Sequence, residues 1–269
     1  MQLQSLVAVD IGNSRLKLGR FDRESGLHAG LPEPVETLAI PLAERRAEFD
    51  VAGLADWLSE HVAPGTPIVI GSVSKPATTA LVEFLDEFDD GAWNNVRQLA
   101  GGDFALENRT QQPERVGIDR LAAALAAGAI RRADTPAIVI DFGTAITVDL
   151  LSAEGAFQGG AILPGVGTSA EALHARTDAL PAVYVPMEGK SPPAVGTDTA
   201  SAIHAGLYWG AVGAVRELIA RQRDSLVAPP QVFVTGSTSP DMARLLGAPD
   251  YTVRYLPHLV LAGLALAAG

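Results

Sequence analysis

Apolar and polar positions follow the same order in two separate stretches of the chain. Residues 5–9 are a short apolar run, which predicts a buried strand. Asp10-Ile11-Gly12-Asn13-Ser14 then predicts a tight turn. Leu16, Leu18 and Phe21 interleave with Arg15, Lys17 and Arg20, the mark of a half-exposed return strand. Glu24-Ser25-Gly26 predicts the next turn. Later, residues 137–140 repeat the apolar run and Asp141-Phe142-Gly143-Thr144-Ala145 repeat the turn. Ile146, Val148 and Leu150 mark the return strand, and Ala153-Glu154-Gly155 turns into a strand over 156–163. The shared order of strand, Asp-x-Gly turn, strand, Gly turn and strand argues for an internal duplication.

Helical spacing fills the rest. Asp50 is placed to cap a helix carrying Leu54, Trp57, Leu58 and Val62 on one face. Residues 67–73 predict a strand and 75–88 a helix; 119–132 are rich in Ala and Leu and strongly helical. Thr199–Arg223 predicts a long helix, 231–235 a strand, 240–246 a short helix and 258–268 a last helix. Strands mixed with helices predict an α/β fold. The polar stretch 107–115 places a boundary near Gly117, dividing the chain into 1–116 and 117–269 around a cleft.

Composition narrows the function. The 269 residues are 48% hydrophobic and 19% charged, a globular balance with room for a real core. The net charge of −11 and the lack of any basic run argue against nucleic acid and anionic membranes as partners. An acidic protein can still bind a nucleotide when Mg²⁺ and backbone N–H groups offset the repulsion. No cysteine is present, which excludes disulfides, thiolate metal sites and cysteine nucleophiles. The N-terminus has no basic flank leading into a long apolar core, and Leu259–Ala268 falls short of the roughly 20 residues that span a bilayer. A cytoplasmic location is the simplest expectation.

Candidate chemistry lies at the turns. An Asp-x-Gly turn can aim several N–H groups at a phosphate, and its aspartate can hold a cation. A single copy is equally a plain hairpin. Gly117-Ile118-Asp119-Arg120 enters a helix, so Asp119 reads as an N-cap or as a functional carboxylate. Arg120 opposes the helix dipole unless an anion is held there. Residues 159–169 read as a strand leading through a Gly-rich loop to a helix capped by Thr168 or Ser169. Gly196-Thr197-Asp198-Thr199 and Thr235-Gly236-Ser237 are loop or ligand positions. The five histidines show no paired metal spacing, and neither a Gly-x-Ser-x-Gly elbow nor a P-loop occurs.

Taken in order, these segments resemble the type III pantothenate kinases. That family's pattern runs Asp-x-Gly-Asn-[Thr/Ser], Gly-x-Asp-Arg, Asp-Phe-Gly-Thr-Ala, Gly-Gly-x-Ile-x-Pro-Gly, Gly-x-Asn-Thr and Thr-Gly-Gly. The resemblance implies two duplicated actin-like, ribonuclease H-like domains with mixed sheets flanked by helices. It implies ATP-dependent phosphorylation of pantothenate, Mg²⁺, a monovalent cation such as K⁺ or NH₄⁺, and a homodimer. Asp10, Ile11, Gly12, Asn13, Ser14, Arg15, Leu16 and Lys17 would form the first phosphate loop, and Thr144 would bind ATP. Asp119 would be the catalytic base. Gly117, Ile118, Asp119, Arg120, Thr199 and the Thr110 position would meet pantothenate, and Asp141 would hold the monovalent cation. Thr110 stands where the family has tyrosine, Asp198 where it has asparagine, and Ser237 where it has glycine. Other readings are a different small-molecule kinase of the same superfamily, or a nucleotide-binding regulatory accessory factor.

Overall fold

In the computed structural model, which describes residues 5–22, 26–43, 48–187, 189–237 and 240–269, both predicted hairpins form. Glu24 and Ser25 of the predicted second turn lie outside the described residues. The elements run β1 (Leu6–Ile11), β2 (Arg15–Phe21), β3 (Leu27–His28), β4 (Leu31–Pro32), β5 (Glu36–Pro41), α1 (Val51–His61), β6 (Ile68–Ser72), α2 (Lys75–Glu87), β7 (Val96–Gln98) and α3 (Ile118–Ile130). They continue with β8 (Ala137–Phe142), β9 (Ala145–Leu151), β10 (Phe157–Pro164), α4 (Val166–Ala175), α5 (Thr199–Arg223), β11 (Gln231–Gly236), α6 (Pro240–Leu245), β12 (Val253–Tyr255) and α7 (Leu259–Ala268). None of the described helices is long and apolar enough to cross a membrane.

Two five-stranded sheets share one design, ordered β5-β2-β1-β6-β7 and β10-β9-β8-β11-β12. In each, the first three strands are antiparallel neighbours and the last two join in parallel. Chance does not reproduce strand order and direction together, so the duplication read from the hairpins extends through each sheet. The hairpin tips differ by one residue: Ile11 pairs with Leu16, whereas Phe142 pairs with Ile146.

The chain divides into one unit of Met1–Ile130 with His258–Gly269 and a second of Arg131–Pro257. The division falls at the end of α3, thirteen residues past Gly117 and therefore later than the polar stretch indicates. Packing explains this. A Cβ on Gly263 of α7 would run into the backbone of Ala122 in α3, so the two helices touch at their backbones. On the strand side, a Cβ on Gly71 would meet Leu264 of α7 at 2.5 Å. The small side chains of Ala122, Ala123, Ala126 and Ala127 are buried, and α7 is apolar all round because it is a core helix.

Within the first unit, Leu54, Trp57 and Leu58 of α1 and Leu81 and Leu85 of α2 pack with Val7, Val9, Ile68 and Ile70 of the sheet. Asp50 caps α1 as expected: the Gly53 N–H donates to its Oδ1 at 2.9 Å. In the second unit, Tyr208, Val212, Val215 and Ile219 of α5 pack with Ile138, Ile140, Ile146 and Val148.

Candidate active site

The predicted residues fall into two groups, one in each unit. In the first, Asp10 lies near the end of β1, buried, and pairs in register with Lys17 across the hairpin. Lys17 Nζ stands 3.9 Å from Asp10 Oδ2. The Gly12 N–H donates to the Arg15 carbonyl at 3.0 Å and closes the tip, which leaves Asn13, Ser14 and Arg15 exposed. Ile11 and Leu16 are buried, so they hold the hairpin from beneath.

The segment 117–120 lies against the same strand ends. On the parallel neighbour β6, Gly71 is the register partner of Asp10, and a Cβ there would meet Ile118 Cγ2 at 2.9 Å. The Val73 N–H donates to the Ile11 carbonyl at 3.0 Å, and Val73 Cγ1 is 3.5 Å from the Cβ position of Gly117. A Cβ on Gly117 would collide with Asp119 Oδ1. Glycine therefore leaves the room into which the carboxylate folds back. Asp119 is not the N-cap: α3 already begins at Ile118, and Asp119 Oδ1 accepts from the Arg120 N–H at 2.8 Å. Burial pushes the Asp119 carboxyl above its ordinary range, while the Arg120 N–H, the Arg120 guanidinium and the Lys17 ammonium pull it back. Thr110 is half-buried in a local turn, its N–H and Oγ1 both donating to Asn108 Oδ1 at 3.1 and 2.7 Å.

In the second unit, Asp141 lies on β8 opposite Thr147 of β9 and Thr235 of β11. Gly236 has φ +91°, and a Cβ there would strike Asp141 Oδ1 and the carbonyl oxygen of Phe142. The sequence marks Thr235-Gly236-Ser237 as a loop or ligand position, without this close approach. The Ser237 N–H donates to the Phe142 carbonyl at 2.6 Å, a backbone contact that does not need the family's second glycine. Thr144 is at the exposed hairpin tip, and its carbonyl accepts from the Gly165 N–H at 2.9 Å and Thr168 Oγ1 at 2.7 Å. The predicted cap of α4 is therefore corrected: Gly165 is the N-cap, and Thr168 fastens the hairpin. A Cβ on Gly165 would clash with the carbonyls of Gly143 and Thr144, the physical reason for the glycine.

Thr199 is the exposed first residue of α5. Asp198 caps that helix, with the Ser201 N–H donating to Oδ1 at 2.9 Å and Ser201 Oγ to Oδ2 at 2.7 Å. The Ser201 N–H, followed by its hydroxyl, holds the Asp198 carboxyl below its ordinary value. Gly71 is the supporting position missed from sequence, a glycine inside a strand where the side chains of Leu264 and Ile118 approach closely, while Gly165 and Gly236 were marked only as loop glycines.

A family model described as type III pantothenate kinase matches residues 6–221. A type III pantothenate kinase from Dehalococcoides mccartyi is 33% identical, with 98% of this chain and 96% of the relative covered. One from Rubrobacter xylanophilus is 35% identical over 94% and 96%. Among solved structures, a putative 2-dehydro-3-deoxygalactonokinase from Sinorhizobium meliloti has TM-score 0.55 at 16% identity, covering 98% of both chains. The ethanolamine utilization protein EutJ from Carboxydothermus hydrogenoformans has TM-score 0.51 at 17% identity, covering 99% of this chain and 90% of its own. The fold is that of duplicated actin-like domains.

Proposed function

The chain belongs to the type III pantothenate kinase family, and from that membership we propose how its residues share the work. The reaction is ATP-dependent phosphorylation of pantothenate to 4′-phosphopantothenate, the first step of coenzyme A biosynthesis. Phosphoryl transfer depends chiefly on alignment and on offsetting charge. Asp119 is the proposed base. It would orient the primary hydroxyl of pantothenate and accept its proton as the new O–P bond forms. One observation carries this role: a partly buried carboxylate, made more basic by burial, is docked in the space that Gly117 leaves open.

Arg120 would grip the substrate carboxylate, with Gly117, Ile118, Thr110 and Thr199 as further contacts. Asp10, Ile11, Gly12, Asn13, Ser14, Arg15, Leu16 and Lys17 would form a phosphate loop, and Thr144 would contact ATP. Mg²⁺, when bound, neutralises phosphate oxygens. Asp10 offers it a hard oxygen, and no group of three or more His, Cys, Asp or Glu among the described residues could hold a metal alone. That fits a Mg²⁺ carried largely by the nucleotide. Asp141 is the proposed ligand of K⁺ or NH₄⁺, and its Oδ1 and the Phe142 carbonyl oxygen both lie close against Gly236, hard oxygens of the kind such a cation takes.

We place the enzyme in the cytoplasm, where ATP is made, as a homodimer. The family resemblance implies pairing, which sedimentation equilibrium tests. ADP release measured with and without pantothenate tests the activity. Release that depends on pantothenate is expected; equal release in both conditions overturns the substrate assignment.

A further inference from the structure

We propose that Val73 is a specificity-determining residue: its side chain is the apolar wall that receives the two methyl groups beside the reacting hydroxyl of pantothenate. The inference rests on Asp119 meeting that hydroxyl. The chemistry of the substrate then makes a demand. The hydroxyl sits on a CH₂ group joined directly to a quaternary carbon that carries two methyls. Wherever Asp119 holds the oxygen, those methyls follow on the next carbon and need an apolar surface beside the carboxylate. Val73 supplies one. The position that a Cβ on Gly117 would take is approached both by Asp119 Oδ1 and by Val73 Cγ1, the latter at 3.5 Å.

The backbone holds Val73 still while its side chain is left open. Its N–H donates to the Ile11 carbonyl at 3.0 Å, which ties it to the strand that carries Asp10. Ser72 braces the turn: its Oγ accepts from the Ser74 N–H at 3.0 Å and from Thr78 Oγ1 at 2.7 Å. A β-branched side chain on so fixed a backbone has few rotamers. Val73 is nevertheless 37% exposed, although Ile68, Val69 and Ile70 of the strand before it are buried. A lone exposed valine is ordinary on a protein surface. What sets this one apart is its place beside the carboxylate of Asp119. Ile118, the other apolar side chain here, is engaged differently: its Cγ2 lies 2.9 Å from the Cβ position of Gly71, where it seats α3 on β6. Val73 therefore contributes shape. A substrate with the methyls fills the space against it, and one without them leaves a gap that forfeits those contacts.

The test gives the full-length enzyme ATP and two substrates in turn: pantothenate, and N-(2,4-dihydroxybutanoyl)-β-alanine, which lacks only the two methyls. The unaltered enzyme should prefer pantothenate in kcat/KM. Val73→Ala should cut that preference by about 10-fold or more. The loss should fall on pantothenate far more than on the analogue, with the KM for ATP unmoved. Val73→Ile keeps a β-branched apolar side chain and should retain the preference. Val73→Thr, the same shape with a hydroxyl in place of a methyl, stands in for Val73→Ala if that variant does not fold, and should also cut it. A preference equal in the unaltered and altered enzymes overturns the inference, whether the two rates hold or fall together, and leaves Val73 a turn residue. An unaltered enzyme that phosphorylates neither compound overturns the pantothenate reading and this inference with it.

Discussion

Asp119 carries two opposed influences in one side chain. Burial disfavours its charge, and the first-turn N–H of Arg120 and two nearby cations favour it. Asp119→Asn keeps the shape and removes the base. It should lower kcat by about 10²–10⁴-fold, with the KM for ATP and pantothenate little changed. Its stability effect has a definite sign. The folded carboxyl titrates above its unfolded value, so the folded state binds more protons between the two. The charged form therefore costs stability, and that cost sets in as pH rises through this window. At neutral pH the asparagine variant should melt at the same or a higher temperature; below the window that advantage should vanish. Thermal melts at pH 7 and at low pH check this. Gly117→Ala is the steric counterpart. The added methyl meets the far end of the Asp119 side chain, which moves while the backbone stays. A displacement of about 1 Å costs roughly 10²-fold in rate, so kcat should fall by that order with the melting temperature nearly unchanged. In the second unit, turnover measured with Na⁺, K⁺ or NH₄⁺ at fixed ionic strength should differ among the three, and Asp141→Ala should remove the difference. Equal rates in the unaltered enzyme would count against Asp141 as the cation site.

At the scale of elements, the departure at Asp198 has a structural account. Asparagine and aspartate are nearly equivalent N-caps, and here the carboxylate is engaged with Ser201 at the start of α5. Asp198→Asn should therefore leave stability and the KM for pantothenate close to their starting values. Asp198→Ala removes the cap and should cost about 1 kcal/mol in chemical denaturation. Both hairpins, α1 and α5 were legible because each has a strong period or a capping residue at its start. Strand β5 was not: only Leu38 and Ile40 of its six residues turn inward, too few to show a period, and it ends in proline on a sheet edge, where proline is tolerated. Strands β7 and β12, three residues each, are too short to show a period. The start of α4 was misplaced because Thr168 looks like a cap locally, whereas its partner, Thr144, is 24 residues away. In the candidate site, Asp10, Asp119 and Asp141 could be chosen from sequence by their turns. The seat of the Gly117–Asp119 segment against Gly71 of β6 could not, since it depends on strand register and on how α3 packs.

At the scale of the whole chain, the boundary shows how non-local packing overrides composition. A polar stretch before Gly117 looks like a linker, but α3 beyond it belongs with α7, the last helix in the sequence. The chain leaves the first unit after Ile130 and rejoins it at His258. The final helix is therefore part of the first unit's core, though all of the second unit precedes it. Leu259, Val260, Leu261, Leu264 and Ala265 are each 5% exposed or less, so their loss removes most of one packed face. Burying each large apolar side chain is worth about 1.5–3 kcal/mol. Four of the five are Leu or Val, and their sum is comparable to the roughly 5–15 kcal/mol that holds a whole domain folded. Deleting residues 258–269 should therefore unfold the first unit and leave Asp119 without the helix that positions it. The expected signs are loss of the cooperative transition assigned to that unit, rapid proteolysis within residues 5–130, and no pantothenate-dependent ADP release. A truncated chain that keeps both its first-unit transition and its turnover would show that α7 is dispensable, and with it the packing of Gly263 on Ala122 that draws the boundary at Ile130.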